Sequence, residues 1–531
     1  MPLAAPLSPG APAPACTSTA RAAAPPVHRR PLRQTFLRLA TAGAALVIAA
    51  CTTLPGPPLL RDETSCHAWT SQLDAAVAAA GVADAEAERI EGFPGLRVDR
   101  VGQALREPAR GGEAALAAWL TRAAALERMA RAAEIRNLPE ATFPLGAAAD
   151  RAQALARADD CRARALPQLL ASGPSTEALR EALLERAAVP ERYSTASRAL
   201  GLYPLLRWPF FAGVQAWQNA HLAEMERWAT APPPLRRFVP QRGAAAAPPA
   251  WPPAADALGL PQPTQAEAQQ LLAWHAPAFE VEVRGAFDQF GTPTWAGAGA
   301  DLRPSVDASR AVVYQRIAHM RFAGRWRLQL VYTLWFPERP PRSGLDLLAG
   351  ALDGVIVRLT LGDNGQPILM DTIHACGCYH LFFPSAALQA RAGAPTNEEW
   401  MFAPAALPAL TTSQRLAVRF ASATHYVKGV GALAREAAAG PSPDDTLDYE
   451  LREEHSLRSL PLPASTGRRS LYGPDGLVAG TERGERLLFW PMGIASAGAM
   501  RQWGHHATAF VGRRHFDDPD LLEQRFELVP R

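Results

Sequence analysis

Residues 371–384 read DTIHACGCYHLFFP, which puts two of the chain's six cysteines and two of its twelve histidines in the spacing His-x-Cys-x-Cys-x-His. Thiolate and imidazole together are the donors that select zinc or copper. On an extended strand residues two apart share a face, so His374, Cys376, Cys378 and His380 would point the same way. Reach limits the idea. Alternate residues are about 6.8 Å apart, which sets the two histidines roughly 20 Å apart at full extension. Zinc bonds of about 2.0 to 2.3 Å cannot span that, so a metal site demands a bend, and Gly377 is the residue able to supply it.

The metal reading takes its remaining ligands from GHHATAFVGRRH at 504–515, where His505, His506 and His515 sit on or beside another expected strand. His505 and His506 face opposite sides of an extended backbone, so only one of them can join a given ion. His319 and His425 are further candidates that spacing does not rank. A second reading is redox exchange at the Cys-Gly-Cys dithiol, which lacks the C-x-x-C spacing and helix N-terminus that depress a thiol pKa. The third reading, and the default, is packing, with sulfur and aromatic side chains filling a strand's faces and the imidazoles hydrogen-bonded in the core. Haem c attachment is excluded, because it needs C-x-x-C-H.

Other catalytic signatures are missing: there is no G-x-S-x-G, no P-loop, no H-E-x-x-H and no dinucleotide-binding glycine pattern. The acid pairs Asp444-Asp445 and Glu453-Glu454 lie in polar surroundings and read as solvated charge. The expectation is therefore a non-catalytic binding or scaffold protein. Its alternative is a zinc or copper protein, or a metal-dependent enzyme, at the His-x-Cys-x-Cys-x-His stretch.

The elements that must position these residues change character along the chain. Residues 66–230 are Ala-rich and helical in period, with Leu116, Trp119, Leu120 and Ala123 at i, i+3, i+4 and i+7. Further helices are expected over 150–171 and after Pro174, with Ser175 as a cap. The aromatic stretch 201–228 is expected to be mostly buried core, with a partner or membrane-facing surface as the alternative. Residues 231–263 are rich in Pro and Ala and read as a linker whose prolines deny sheet pairing, with Phe238 and Trp251 packing against a neighbour. Over 264–531 the period becomes two: Trp326, Leu328, Leu330, Tyr332, Leu334 and Phe336 alternate, and VIVRLTL-GDNG-QPILMDTI is a hairpin turning at Asn364-Gly365. Strands are also expected near 486–490 and 506–511. The fold class is α+β, a helical bundle followed by a mostly antiparallel sheet, as a sandwich or an open barrel.

The start of the chain addresses its location. Arg29, Arg30, Arg33 and Arg38 precede an uncharged apolar run, 39–50, too short to span a bilayer, so residues 1–50 read as an export signal behind a low-complexity extension. The run ends in Ile48-Ala49-Ala50-Cys51, which resembles the lipobox of bacterial lipoproteins. The resemblance implies that Cys51 is acylated, that 51–65 is a tether, and that membrane lipid is a partner. With Thr52 rather than Asp following, it also implies the outer membrane, facing the periplasm, where an envelope protein is a possible further partner.

Residues 1–50 hold five of the 54 basic residues and no acid, so the mature chain carries 49 basic against 51 acidic residues, and nothing in that balance favours nucleic acid. Cys16 leaves with the signal and Cys51 is spoken for, which leaves four thiols. In an oxidising compartment they could pair in three ways, and Cys66 with Cys161 is the simplest, since both lie in the helical half.

Overall fold

A computed structural model describes residues 64–530, apart from 242–247, 249, 345, 436–445 and 464, all within the contact-dense unit Pro57–Arg531. The export signal, the lipobox and Cys51 lie outside the described residues. The helical half holds α1 (Thr64–Ala80), α2 (Glu113–Asn137), α3 (Arg151–Leu170), α4 (Pro174–Arg186), α5 (Thr195–Leu200) and α6 (Tyr203–Thr230). Helix α2 buries the stripe of Leu116, Trp119, Leu120 and Ala123, as the period predicts, and the Trp119 indole donates to the Gly102 carbonyl at 2.8 Å. Asp150 caps α3 by accepting from the Gln153 N–H. Ser175 is not the cap of α4: that helix begins one residue earlier, on Pro174, whose fixed φ suits a first helical position. A disulfide joins Cys66 of α1 to Cys161 of α3.

Ten strands form one curled sheet: β1 (Arg236–Pro240), β2 (Ala278–Val281), β3 (Val312–Phe322), β4 (Arg325–Arg339), β5 (Gly350–Leu361), β6 (Pro367–His374), β7 (Leu381–Pro384), β8 (Gln414–Phe420), β9 (Val427–Ala434) and β10 (Thr446–Glu453). Their order is β7-β6-β5-β4-β3-β10-β1-β2-β8-β9, mostly antiparallel. The architecture is α+β with a single curled layer rather than a two-sheet sandwich. The expected hairpin is β5 and β6, with Gly365 at φ 74° in its turn. Strand β4 pairs on both sides and is buried on both faces. Leu330, Tyr332 and Leu334 enter the main core, while Val331 packs with Trp503 and Phe516 on the other side. Helix α7 (Gln265–His275) covers the first face, where Tyr332 Oη donates to the Leu272 carbonyl at 2.7 Å.

The Pro/Ala-rich segment corrects an expectation. Its residues 236–240 are β1, near the middle of the sheet, with Phe238 buried between Leu447 and Phe279. Pro232, Pro233 and Pro234 end before the strand starts and Pro240 stands at its last position, so residues 236–239 keep the N–H groups a ladder needs. The helical and sheet segments are also joined by buried ions: Arg458 pairs with Asp84 at 2.6 Å and Arg316 with Glu86 at 2.9 Å. Two expected strands are absent. Residues 486–489 form the short helix α8 (Arg486–Phe489), and 506–511 is loop with one isolated bridge, Ala507 to His515. The chain then turns through α9 (Leu521–Arg525).

Candidate functional site

Strand β6 ends at His374 and β7 resumes at Leu381, so residues 375–380 are the turn between them. The Gly377 N–H donates to the His374 carbonyl at 2.7 Å, and the His374 N–H donates to the Cys378 carbonyl at 2.9 Å. Gly377 sits at φ 89°, a conformation that costs a residue with a Cβ, and Tyr379 follows at φ 60°. A Cβ on Gly377 would stand 2.8 Å from the Ala507 carbonyl oxygen. The backbone therefore bends where a metal site would need it to. The bend brings the Cys376 and Cys378 thiols into hydrogen-bond contact, both buried and free. That contact lowers the Cys376 pKa and, with burial, raises that of Cys378.

The bend parts the histidines. His374 turns its Nδ1 toward Asp353 at 3.4 Å, whereas His380 Nε2 meets Asp371 at 2.9 Å. Asp371 is itself held by both ends of the Arg358 fork, at 2.9 and 2.6 Å. His505 Nε2 donates to the Ala85 carbonyl at 2.6 Å, and His515 Nε2 accepts the Arg192 N–H at 3.3 Å. His506 is buried edge-on to Phe516. His319 donates to the Pro261 carbonyl at 2.9 Å. Among the described residues no three His, Cys, Asp or Glu side chains gather as ligands for one ion. The expected His and Cys set is not assembled at one point, because each imidazole is spent on a carbonyl, a carboxylate, a backbone N–H or aromatic packing of its own. Burial holds His380, His506 and His515 down at about 3 and His505 at about 4, so these rings are neutral at ordinary pH.

What the turn does border is a cavity of about 430 Å³ beneath α6. Phe210, Val214 and Trp217 of α6 face it, spaced four and three apart, with Phe402, Phe489 and Phe510 opposite. Cys378, Tyr379 and His380 form one wall, and the exposed Pro209 and Gly213 lie at its rim. Its ionisable groups are few, and burial disfavours charge on His380, Glu399 and Glu485. Burial raises the pKa of Glu399, whose carboxylate accepts the Phe510 and Val511 N–H groups at 2.7 and 2.8 Å. Burial likewise raises Glu485. The Arg514 guanidinium donates to the carbonyls of Glu399, Trp400 and Thr508. A lumen of this size and apolar character fits an apolar small molecule or acyl chain better than a polar substrate.

Two polar groups behind the cavity had no marker in the sequence. Asp353, fully buried, accepts His425 Nδ1 at 2.8 Å and Arg483 at 3.2 Å beside His374. Burial would raise its pKa, but His374 and Arg483 outweigh that and hold it well below the ordinary carboxylate range. Burial also opposes charge on His425, yet Asp288 and Asp353 prevail and its pKa is raised. The second group is Lys428, the chain's one lysine, whose Nζ reaches Glu224 at 2.5 Å and His221 at 3.1 Å and so clamps α6 onto β9. The cavity face of α6 was legible in principle, since Phe210, Val214, Trp217 and His221 recur at helical spacing.

No protein-family model matches this chain, and no curated protein does. A solved structure described as "Toxin fold for microbial attack and plant defense" is similar over 38% of this chain and 79% of its own, at 16% identity and a TM-score of 0.16. The functional reading accordingly rests on the site itself.

Proposed function

We propose that this chain is a lipid-anchored envelope protein, facing the periplasm from the outer membrane, that binds an apolar ligand without transforming it. The carrying observation is the cavity of about 430 Å³ between α6 and the turn at 375–380, walled mainly by aromatic and apolar side chains. The lipobox-like Ile48-Ala49-Ala50-Cys51 supports the location. Binding is tested with the fluorescent apolar probe N-phenyl-1-naphthylamine and with Gly213→Trp, which puts an indole at the rim. A Cβ at Gly213 meets nothing within 4 Å, so Gly213→Ala serves as the folded control. The expected result is saturable binding that weakens at least tenfold in Gly213→Trp and persists in Gly213→Ala. Equal binding in both variants overturns the reading.

One observation favours a second reading, a zinc or copper site: the buried, free Cys376 and Cys378 thiols interact across the bend, giving two soft donors near one another. Metal analysis of untagged protein decides it, with a stoichiometric ion lost in Cys376→Ser/Cys378→Ser as the supporting result and a metal-free wild type as the refuting one.

A further inference from the structure

Six of the exposed large apolar side chains belong to two segments that adjoin in the fold. They are Leu202, Leu205 and Trp208 of the α6 start, and Leu487, Leu488 and Trp490 of α8 and the turn after it. Leu205 is 68% exposed and Leu487 is 71% exposed. The two segments lie nearly 300 residues apart in sequence yet meet in the fold. A Cβ on Gly201 would press on Pro491, and the rings of Phe210 and Phe489 are 5.3 Å apart. The expectation that 201–228 is mostly core holds for Met225 and Trp228 and fails for this first part of the helix.

We infer that this face is a docking surface for a phospholipid bilayer, through which the apolar cavity communicates with lipid. Charge points to that partner. From residue 202 to 223 the helix carries no carboxylate; its one charged residue, Arg207, has Glu398 at 3.9 Å as its partner, while Arg486 at the start of α8 is exposed. A protein partner would call for a polar rim with paired charge, whereas a bilayer interface takes leucine in the acyl region with tryptophan at headgroup level. Trp208 and Trp490 supply that pair. Phe210 and Phe489, next in sequence to the exposed Trp208 and Trp490 segments, line the cavity, whose rim is Pro209 and Gly213. Residues 51–63 measure about 45 Å at most when extended, so acylation at Cys51 would keep this unit within reach of the membrane it docks on. The inference deepens the envelope reading and rests on it for the identity of the membrane.

The test uses residues 51–531 carrying Cys51→Ser, which cannot be acylated, with vesicles of phosphatidylethanolamine and phosphatidylglycerol at three to one. The expected result is flotation with the vesicles and a blue shift in tryptophan emission. Both should fall at least tenfold in Leu205→Glu/Trp208→Glu and in Leu487→Glu/Leu488→Glu, with thermal unfolding unchanged. Failure of the parent protein to float, or equal flotation of the variants, overturns the inference. So does a parent that dimerises without floating and becomes monomeric in the variants, which would make the face an interface between copies. Flotation retained while naphthylamine binding is absent refutes the cavity reading alone.

Discussion

At the residue scale the turn at 375–380 depends on one backbone position. Gly377 adopts φ 89° and its missing Cβ leaves room for the Ala507 carbonyl, so a methyl group there meets both torsional strain and a backbone oxygen at 2.8 Å. Left-handed backbone costs a residue with a Cβ about 1 to 2 kcal/mol, and the close approach adds to it. Gly377→Ala should therefore lose about 2 kcal/mol or more in urea unfolding, and a variant as stable as the parent would show that the turn relaxes freely. The bend was legible in the sequence, because a glycine between two cysteines is a local signal. The partners of His374 and His380 were not legible. Asp353 and Asp371 lie on neighbouring strands, and which imidazole meets which carboxylate is set by strand register, not by spacing within the motif.

At the element scale, the strand Arg236–Pro240 explains how a proline-rich segment can be structural. Its ladder residues avoid proline, and Phe238 enters the main core against the rings of Phe290 and Phe279. Phe238→Ala should cost about 3 to 5 kcal/mol, the usual penalty for emptying a buried phenyl site. A loss below about 1 kcal/mol in chemical denaturation would mean that this strand is dispensable. Composition alone hid the strand, since proline counts do not say where in a segment the prolines fall. Helix α2 and the hairpin of β5 and β6 were read correctly, because a repeat of 3.6 and a turn with positive φ are both encoded within a few residues. The segments 486–490 and 506–511 were misread as strands because short apolar runs suit either structure until packing decides.

At the scale of the whole molecule, burial of neutral imidazoles sets the response to acid. His221, His275, His319 and His505 are held at about 4, and His380, His506 and His515 at about 3, each chiefly by burial. In the unfolded chain histidine titrates near 6.5, so between about pH 6.5 and 4 the unfolded state binds more protons and stability falls as pH falls. Each such histidine contributes a slope of about 1.4 kcal/mol per pH unit. His425 opposes them: with its pKa raised, the stability it gives is full below about pH 6.5 and is lost as pH rises through the folded value. The expected outcome is a steep loss of stability from pH 6.5 downward, measured by urea unfolding at stepped pH, with proton uptake of several equivalents. A flat profile would show that these rings are charged or exposed in the folded protein.

The sequence alone determined what is local: the α+β class, the helical stripe of α2, the β5–β6 turn and the glycine that bends the dithiol segment. Each is written in periodicity or in the backbone freedom of single residues. Only the tertiary structure decided the rest: the carboxylates taken by His374, His380 and His425, the cavity under α6, and the meeting of the exposed apolar segments 202–208 and 487–490. The first is set by strand register and the other two by which distant segments pack side by side, and no spacing along the chain records either.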